Sequence, residues 1–262
     1  MTRLRGVWIW GLPAACFVLA GIIIFNDTNI DVFFPINRIS LHTGGWIWAV
    51  LTVLCDGLFA FTLMLPLIRR RPRIIWAAVV AAVIALVLGQ VLKRIWNLPR
   101  PPKFLRPQDI YLIGPDWGDF SFPSGHAAMA MVLGYAFASL AEKTWIKLLI
   151  IMGVCLMALS RVVVGVHWPL DVLIGAALGW LSGWAGFLIA EKTPWGWGGT
   201  AQRLMGAVLV AGCLVLLAVD YSGYGLLWEQ RALALVLLSL GLPEYLRLFG
   251  IKVPVLGSIF RR

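Results

Sequence analysis

The chain has 262 residues, of which 61% are hydrophobic and only 13% are charged. Its mean hydropathy of +0.88 excludes a soluble globular domain and indicates an integral membrane protein. The net charge of +10 is explained by anchoring to anionic membrane lipids, and no feature of the chain indicates nucleic-acid binding. We therefore expect an all-α, polytopic transmembrane helical bundle.

Eight apolar stretches come close to the length that crosses a bilayer as a helix, which is about 20 residues. They cover residues 6–25, 45–68, 74–92, 124–140, 148–164, 168–190, 204–219 and 226–242. The last is the weakest, because Glu229 and Arg231 interrupt it near one end. The first follows Arg3 and Arg5 as a signal peptide would, but it is long and lacks small residues for cleavage, so we expect a retained helix.

Basic residues alternate between the loops that join these stretches, and this alternation sets the orientation. One set of loops carries five basic groups: Arg3 and Arg5; Arg69, Arg70, Arg71 and Arg73; Lys143 and Lys147; Lys192 and Arg203; and Arg247, Lys252, Arg261 and Arg262. By the positive-inside rule these loops and both termini are cytoplasmic. Basic residues on the opposite side, in 93–123 and 160–167, violate that rule and so need a functional explanation.

The four cysteines, Cys16, Cys55, Cys155 and Cys213, fall in separate apolar stretches without the spacing of metal ligands. We expect them to be small core hydrophobes, neither disulfide-bonded nor metal-binding. The sequence predicts no cofactor and no metal site.

Asp56 lies inside the second stretch, about 16 Å from its outer end if the stretch is one straight helix. A carboxylate at that depth is costly and must face protein or water. It either relays protons or makes a structural hydrogen bond to a neighbouring helix. We favour the structural role, because polar side chains commonly join helices in this way.

A basic segment follows the third stretch, which ends near Lys93. The residue before a proline avoids helical geometry, so the helix should end by about Leu98 and leave Arg100 on a stiff corner before Pro101. Lys93 and Arg100 can then converge on one point. The alternative is that both are interfacial side chains that reach for water.

The fourth stretch opens with Pro123, Ser124, Gly125 and His126. Ser124 can cap a helix, and Gly125 lets a ligand approach the backbone closely. A helix N-terminus of this kind attracts anions. Alone the tetrapeptide is weak evidence, because Ser-Gly pairs often mark only the start of a helix.

A third polar segment joins the fifth and sixth stretches and contains Arg161, His167 and Asp171. Pro169 belongs in the first turn of the sixth helix, which puts His167 and Asp171 one turn apart. The carboxylate can then hold one imidazole nitrogen and leave the other free to react.

All three segments lie at the outer ends of the predicted helices. Three cations, a helix N-terminus and two histidines together make a phosphate pocket with a nucleophile and an acid, as phosphoryl transfer requires. The site residues are Lys93, Arg100, Ser124, Gly125, His126, Arg161, His167 and Asp171.

In order and spacing, the three segments resemble the signature motifs of the type 2 phosphatidic acid phosphatase (PAP2) superfamily. The segments are Lys93-x6-Arg100-Pro101, Pro123-Ser124-Gly125-His126 and Ser160-Arg161-x5-His167-x3-Asp171, and every specified position matches. The resemblance covers about 45–190 and implies a six-helix core, which the last two stretches exceed.

The resemblance implies a metal-independent reaction in which His167 is the nucleophile and forms a phosphohistidine. Asp171 would orient His167, and His126 would protonate the leaving group and later activate water. The phosphate would be held by Lys93, Arg100, Arg161, the Ser124 hydroxyl and the Gly125 amide.

The motifs do not decide the substrate or the functional class of the protein. A lipid phosphate or diphosphate hydrolase of a bacterial inner membrane, with an outward-facing site, is the first choice, with undecaprenyl diphosphate as substrate. Phosphatidic acid, phosphatidylglycerol phosphate, diacylglycerol diphosphate and lipid A 1-phosphate are alternatives, as is transfer of the phosphoryl group to another lipid. A haloperoxidase would be soluble, and a transporter would carry charges at the membrane midplane.

We expect three parts of the chain: a first helix and outer loop in 1–44, a catalytic core in 45–192 and a transmembrane extension in 193–262. The extension shows no constellation of titratable residues, so its helices are expected to serve packing or oligomerisation.

Overall fold

The computed structural model describes residues 4, 6–116, 118, 120–251 and 253. Within them the regular elements are helical, as the composition predicted, and no strand forms. The helices are α1 (Val7–Asn26), α2 (Asn29–Asn37), α3 (Ile39–Thr43), α4 (Gly45–Leu54), α5 (Gly57–Thr62), α6 (Pro72–Trp96), α7 (Pro101–Phe104), α8 (Gly125–Leu140), α9 (Thr144–Val163), α10 (Pro169–Lys192), α11 (Gly199–Ala218) and α12 (Leu227–Leu246).

Six helices in the described part are long and apolar enough to cross a membrane: α1, α6, α9, α10, α11 and α12 with the turn that follows it. Helix α8 is apolar but has only 16 residues. The multi-pass helical bundle predicted from the sequence is therefore confirmed.

The second apolar stretch is not the single straight helix that we expected. It divides into α4 and a second segment, Gly57–Leu67, that begins with α5, and the axes of the two segments differ by 66°. Asp56 causes the division, because its backbone is extended and its carboxylate accepts a 2.9 Å hydrogen bond from the Leu58 amide at the start of α5. The depth calculated for Asp56 along a straight helix was therefore wrong.

Helix α10 lies at the centre of the bundle and packs against α6, α8 and α1. Small residues allow this close approach, because a Cβ atom at Gly175 or Gly179 would collide with the carbonyl oxygens of Ser124 or Ala128. The same contact sets the relation between two helix starts: the Ser124 amide donates a 3.0 Å hydrogen bond to the Asp171 carbonyl.

Asn37, at the end of α2, joins loops from three parts of the chain. Its side-chain nitrogen donates hydrogen bonds to the backbone carbonyls of Tyr111 (2.9 Å) and Val163 (3.0 Å). Its side-chain oxygen accepts a hydrogen bond from the Tyr111 amide (2.8 Å). Buried amides bonded in this way hold loops in fixed positions. The loop before α8 is therefore fixed to the end of α9.

The two ends of the bundle differ in their charges. Lys93 is twenty residues beyond Arg73 on α6, a rise of about 30 Å. At the Arg73 end, basic residues are paired: Arg73 with Glu191 and Arg69 with Glu244, each at 2.6 Å. The Lys93 end instead holds cations that have no carboxylate partner among the described residues.

The extension packs back onto the core. Helices α11 and α12 contact each other, and α11 also contacts α5 while α12 contacts the Leu65–Leu67 turn. This packing brings the loop between α11 and α12 over the break between α4 and α5.

The cysteines follow their predicted role with one exception. Cys16, Cys55 and Cys213 are free and buried, whereas Cys155 is free and exposed on the surface of α9. Its assignment to the core was wrong, because position 155 faces outward in the packed bundle.

Candidate active site

His167 and Asp171 form a buried pair at the start of α10. Nδ1 of His167 lies 3.3 Å from Oδ2 of Asp171, and both side chains are at most 2% exposed. Asp171 also accepts a 2.8 Å hydrogen bond from the Trp168 amide, and Pro169 occupies the first turn as predicted. Since Nδ1 faces the carboxylate, Nε2 is the nitrogen available for reaction.

Ser121 is a third member of this group that the sequence did not reveal. Its hydroxyl is fully buried, donates a hydrogen bond to Oδ2 of Asp171 and lies 3.4 Å from Nδ1 of His167. Three groups thus fix the carboxylate: a side-chain hydroxyl, a backbone amide and an imidazole. Such support holds a reactive side chain in one orientation.

The protonation of His167 follows from its surroundings. Burial lowers the pKa of His167 well below its ordinary value of 6.5, and the charges of Arg100, Arg161 and Lys93 lower it further. The imidazole is therefore neutral near pH 7, as a nitrogen nucleophile must be.

Arg161 is buried, and no carboxylate of the described residues pairs with it. It is 1% exposed; Nη1 donates hydrogen bonds to the Thr52 hydroxyl (2.5 Å) and the Tyr224 hydroxyl (3.3 Å), while Nε has no partner among the described atoms. An unpaired buried guanidinium is costly, and such a group is suited to an anion that completes its hydrogen bonds.

Lys93 and Arg100 converge on a single carbonyl. Lys93 Nζ lies 3.3 Å and Arg100 Nε 3.2 Å from the oxygen of Phe120, and Arg100 Nη1 lies 3.4 Å from that of Val166. Burial, followed by the charge of Arg161, lowers the pKa of Arg100 to about 10, so it remains a cation at neutral pH.

None of these three cations has a described carboxylate oxygen within 4 Å. The helix between Pro72 and Trp96 ends before Leu98, as predicted, with Asn97 in the left-handed region. The structure thus gathers a net positive charge beside His167.

Helix α8 begins at this pocket as predicted. The hydroxyl of Ser124 accepts a 3.4 Å hydrogen bond from the Ala127 amide, and a Cβ at Gly125 would meet nothing within 4 Å. The Gly125 amide therefore adjoins open space at a helix N-terminus, where a phosphate is stabilised by the helix dipole.

His126, the second residue of α8, lies beside a carboxylate that we had placed deep in the membrane. Its Nε2 atom is 3.7 Å from Oδ2 of Asp56. Both side chains border a cavity of about 300 Å³, which is also bordered by Tyr221 and Tyr224 from the loop between α11 and α12.

The structure brings all eight predicted site residues together at one end of the bundle, and it adds four more. The additions are Asp56, Ser121, Tyr221 and Tyr224. The two tyrosines show that the extension, for which the sequence gave no functional signal, contributes to the site.

Fold and site together define a multi-pass helical membrane protein with a cationic, histidine-bearing pocket. Residues 57–195, more than half of the chain, match the model of the PAP2 superfamily. The chain belongs to the PAP2 superfamily, which confirms the resemblance of its three motifs.

Relatives of known name share parts of the sequence. The undecaprenyl-diphosphatase of Sulfolobus acidocaldarius is 41% identical over 122 residues, which are 46% of this chain and 58% of the relative. The lipid A 4'-phosphatase of Bacteroides thetaiotaomicron is 33% identical over 84 residues, 32% of this chain and 37% of the relative. The chain thus spans less than two thirds of either.

A solved structure shares the fold. The crystal structure of Aquifex aeolicus LpxE matches with a TM-score of 0.54 and 31% sequence identity. The matched region covers 63% of this chain and 94% of the LpxE chain.

Proposed function

We propose that the protein hydrolyses a lipid phosphate or diphosphate through a phosphohistidine on His167, without a metal ion. The observation that carries the proposal is the buried Nε of Arg161, which has no hydrogen-bond partner among the described residues and lies in a cationic pocket beside a histidine that Asp171 holds. This arrangement binds a phosphate and presents a nucleophile to it.

Binding of the phosphate uses five groups. The side chains of Lys93, Arg100 and Arg161 neutralise its charge, while the Ser124 hydroxyl and the Gly125 amide donate hydrogen bonds at the N-terminus of α8. Because these donors are held by helices, little rearrangement is needed as charge spreads over the phosphoryl oxygens.

The reaction then has two halves. Nε2 of His167 forms a bond to phosphorus as the bond to the leaving oxygen breaks, and His126 gives that oxygen a proton. In the second half, water attacks the phosphohistidine, His126 accepts the water proton, and inorganic phosphate departs from a regenerated His167.

Undecaprenyl diphosphate is the first choice of substrate. Support comes from the Sulfolobus relative that bears this activity in its name. The outward-facing site proposed below would suit recovery of a cell-wall lipid carrier. Phosphatidic acid, phosphatidylglycerol phosphate and lipid A phosphates remain alternatives. Among the other relatives are a lipid A 4'-phosphatase and a phosphatidylglycerophosphatase B.

The catalytic test is phosphate release from a panel of these lipids in detergent. We expect wild-type turnover on at least one lipid and none with His167→Ala. Trapping of 32P on the protein by denaturation at alkaline pH, where a phosphohistidine is stable, with loss of the label in His167→Ala, would establish the phosphohistidine. Appearance of a phosphorylated acceptor lipid without free phosphate would favour a phosphotransferase, and transport into vesicles without bond cleavage would favour a transporter.

Metal independence has its own test. Among the described residues, no group of three His, Cys, Asp or Glu side chains is placed to hold a metal ion. We expect turnover to survive chelators and vanadate to inhibit it as a five-coordinate analogue of the phosphoryl group. Loss of turnover with a chelator and its recovery with magnesium would contradict the mechanism.

We further propose a bacterial inner-membrane location, cytoplasmic termini and a periplasmic site in a core formed by 45–192. In a cysteine-free background, a cysteine at Asp116 should react with a membrane-impermeant thiol reagent in intact spheroplasts. A cysteine at Arg70, at the opposite end, should react only after lysis. The reverse pattern would invert the orientation.

A further inference from the structure

The proposed acid, His126, faces an electrostatic difficulty. It must carry a proton before it can give one to the leaving group, yet burial opposes its protonation, and so do the positive charges of Arg161, Arg100 and Lys93. Like charges oppose protonation of an imidazole, most strongly where water is scarce. A nearby negative charge is needed to keep the proton on His126 until the substrate arrives.

Asp56 is placed to supply that charge. Its Oδ2 lies 3.7 Å from Nε2 of His126, while Oδ1 accepts the hydrogen bond of the Leu58 amide. The two carboxylate oxygens therefore do different things: one caps α5, and the other faces the imidazole. In the part of the chain that the structure describes, no other carboxylate lies within 4 Å of His126.

The extension supports this carboxylate from the other side. The Tyr221 hydroxyl lies against Asp56, and burial followed by the Asp56 charge raises the pKa of Tyr221, so the hydroxyl stays protonated and can donate. The ring of Tyr221 also packs near that of Phe59, with centroids 6.2 Å apart. The charged and titratable groups that act on Asp56 are thus Arg161, Tyr221, Cys55 and His126.

We propose that Asp56 is a positioning residue that keeps His126 protonated and oriented toward the leaving oxygen, and that Tyr221 of the extension holds Asp56 in place. The inference rests on the proposed function, since it concerns the acid of that reaction. It assigns a catalytic purpose to the break between α4 and α5: a continuous helix would have no cap at position 56.

Asp56→Asn separates this role from the structural one. Asparagine caps helices as well as aspartate does, so α5 should persist while the negative charge is lost. We expect single-turnover cleavage of an alkyl phosphate lipid to slow by about 10- to 100-fold, the usual effect of losing a supporting partner of a reactive group. Cleavage of an aryl phosphate, whose weakly basic leaving oxygen needs less acid help, should change much less.

The pH dependence gives a second readout. Without the carboxylate, the alkaline limb of the cleavage rate should move to lower pH, because the imidazolium has lost its neutralising partner. Asp56→Glu should retain much of the wild-type profile, and Tyr221→Phe should lie between wild type and Asp56→Asn. Asp109→Asn, a half-buried aspartate paired with Arg106 at 2.8 Å, is the matched control and should leave the profile unchanged.

If Asp56→Asn lowered the cleavage rates of alkyl and aryl phosphates equally and left the pH profile unchanged, Asp56 would have only a structural role. That result would overturn the inference. Wild-type rates in Asp56→Asn would overturn it as well. Either result leaves the proposed function standing, provided that wild type turns over and His167→Ala does not. Absence of turnover by wild type on every lipid and on aryl phosphate would instead refute the proposed function.

Discussion

The hydroxyl of Tyr224 lies 3.3 Å from Nη1 of Arg161, although the two residues are 63 positions apart and belong to the extension and the core. Arg161 is buried, and its other hydrogen-bond partner at Nη1 is the Thr52 hydroxyl. Two hydroxyls, one from α4 and one from the loop between α11 and α12, therefore orient one guanidinium toward the pocket. If Arg161 binds the phosphate as proposed, this contact makes the extension part of that binding.

Tyr224→Phe should weaken substrate binding while preserving the fold. Loss of a hydrogen bond to a charged group costs about 1.5 kcal/mol, roughly a ten-fold fall in kcat/KM that appears mainly as a higher KM. Tyr245→Phe is the control, since its ring packs on Phe249 at the opposite end of the bundle. Similar kinetics in the two variants would show that Tyr224 does not orient Arg161.

Ser121→Ala should slow formation of the phosphohistidine. The substitution removes one of the groups that fix Asp171, while the Trp168 amide remains, so we expect a fall in kcat of about ten-fold with little change in KM. Ser139→Ala tests the effect of removing a buried hydroxyl elsewhere, because the Ser139 hydroxyl donates a hydrogen bond to the Ala136 carbonyl within α8. Burst kinetics with an aryl phosphate measure the step directly.

His167 should be neutral at pH 6.5 in the free protein. Burial and the neighbouring cations lower its pKa, so the proton is lost at a pH where an ordinary imidazole still holds it half the time. Nitrogen chemical shifts of labelled histidine report this in detergent, and only three histidines need assignment, by single substitutions. A His167 signal that titrates at or above pH 6.5 would contradict the described pocket.

The sequence predicted the helices, and it indicated the eight candidate site residues that the structure brings together, because both patterns are encoded locally. Apolar runs, the Ser124 cap and the spacing of His167 and Asp171 act over one or two helical turns. Asp56 was misplaced for the same reason: hydropathy predicted one helix for 45–68. The pair Asp56-Gly57 within that run was a cap signal that could have indicated the break.

Ser121, Tyr221 and Tyr224 could not be predicted in this way. They reach the site only through packing between distant segments, in which α11 lies on α5 and the loop before α8 meets α10. A serine or a tyrosine in an outer loop carries no periodicity, and no local spacing relates position 224 to position 161. Tertiary contacts alone assign these residues to the pocket.

The close contact of α8 with α10 should make the stability of the fold sensitive to any side chain added between the two helices. Gly179→Ala should destabilise the fold, because its Cβ would strike the Ala128 carbonyl and force the two helices apart. Overpacking of this kind costs about 1–3 kcal/mol, and it should also reduce turnover, since His126 and Asp171 stand at the starts of these two helices. Gly89→Ala, on α6 with nothing within 4 Å of the added Cβ, should leave stability equal or slightly higher. Thermal unfolding of both variants in one detergent makes the comparison, and equal melting temperatures would show that the α8–α10 contact tolerates the separation.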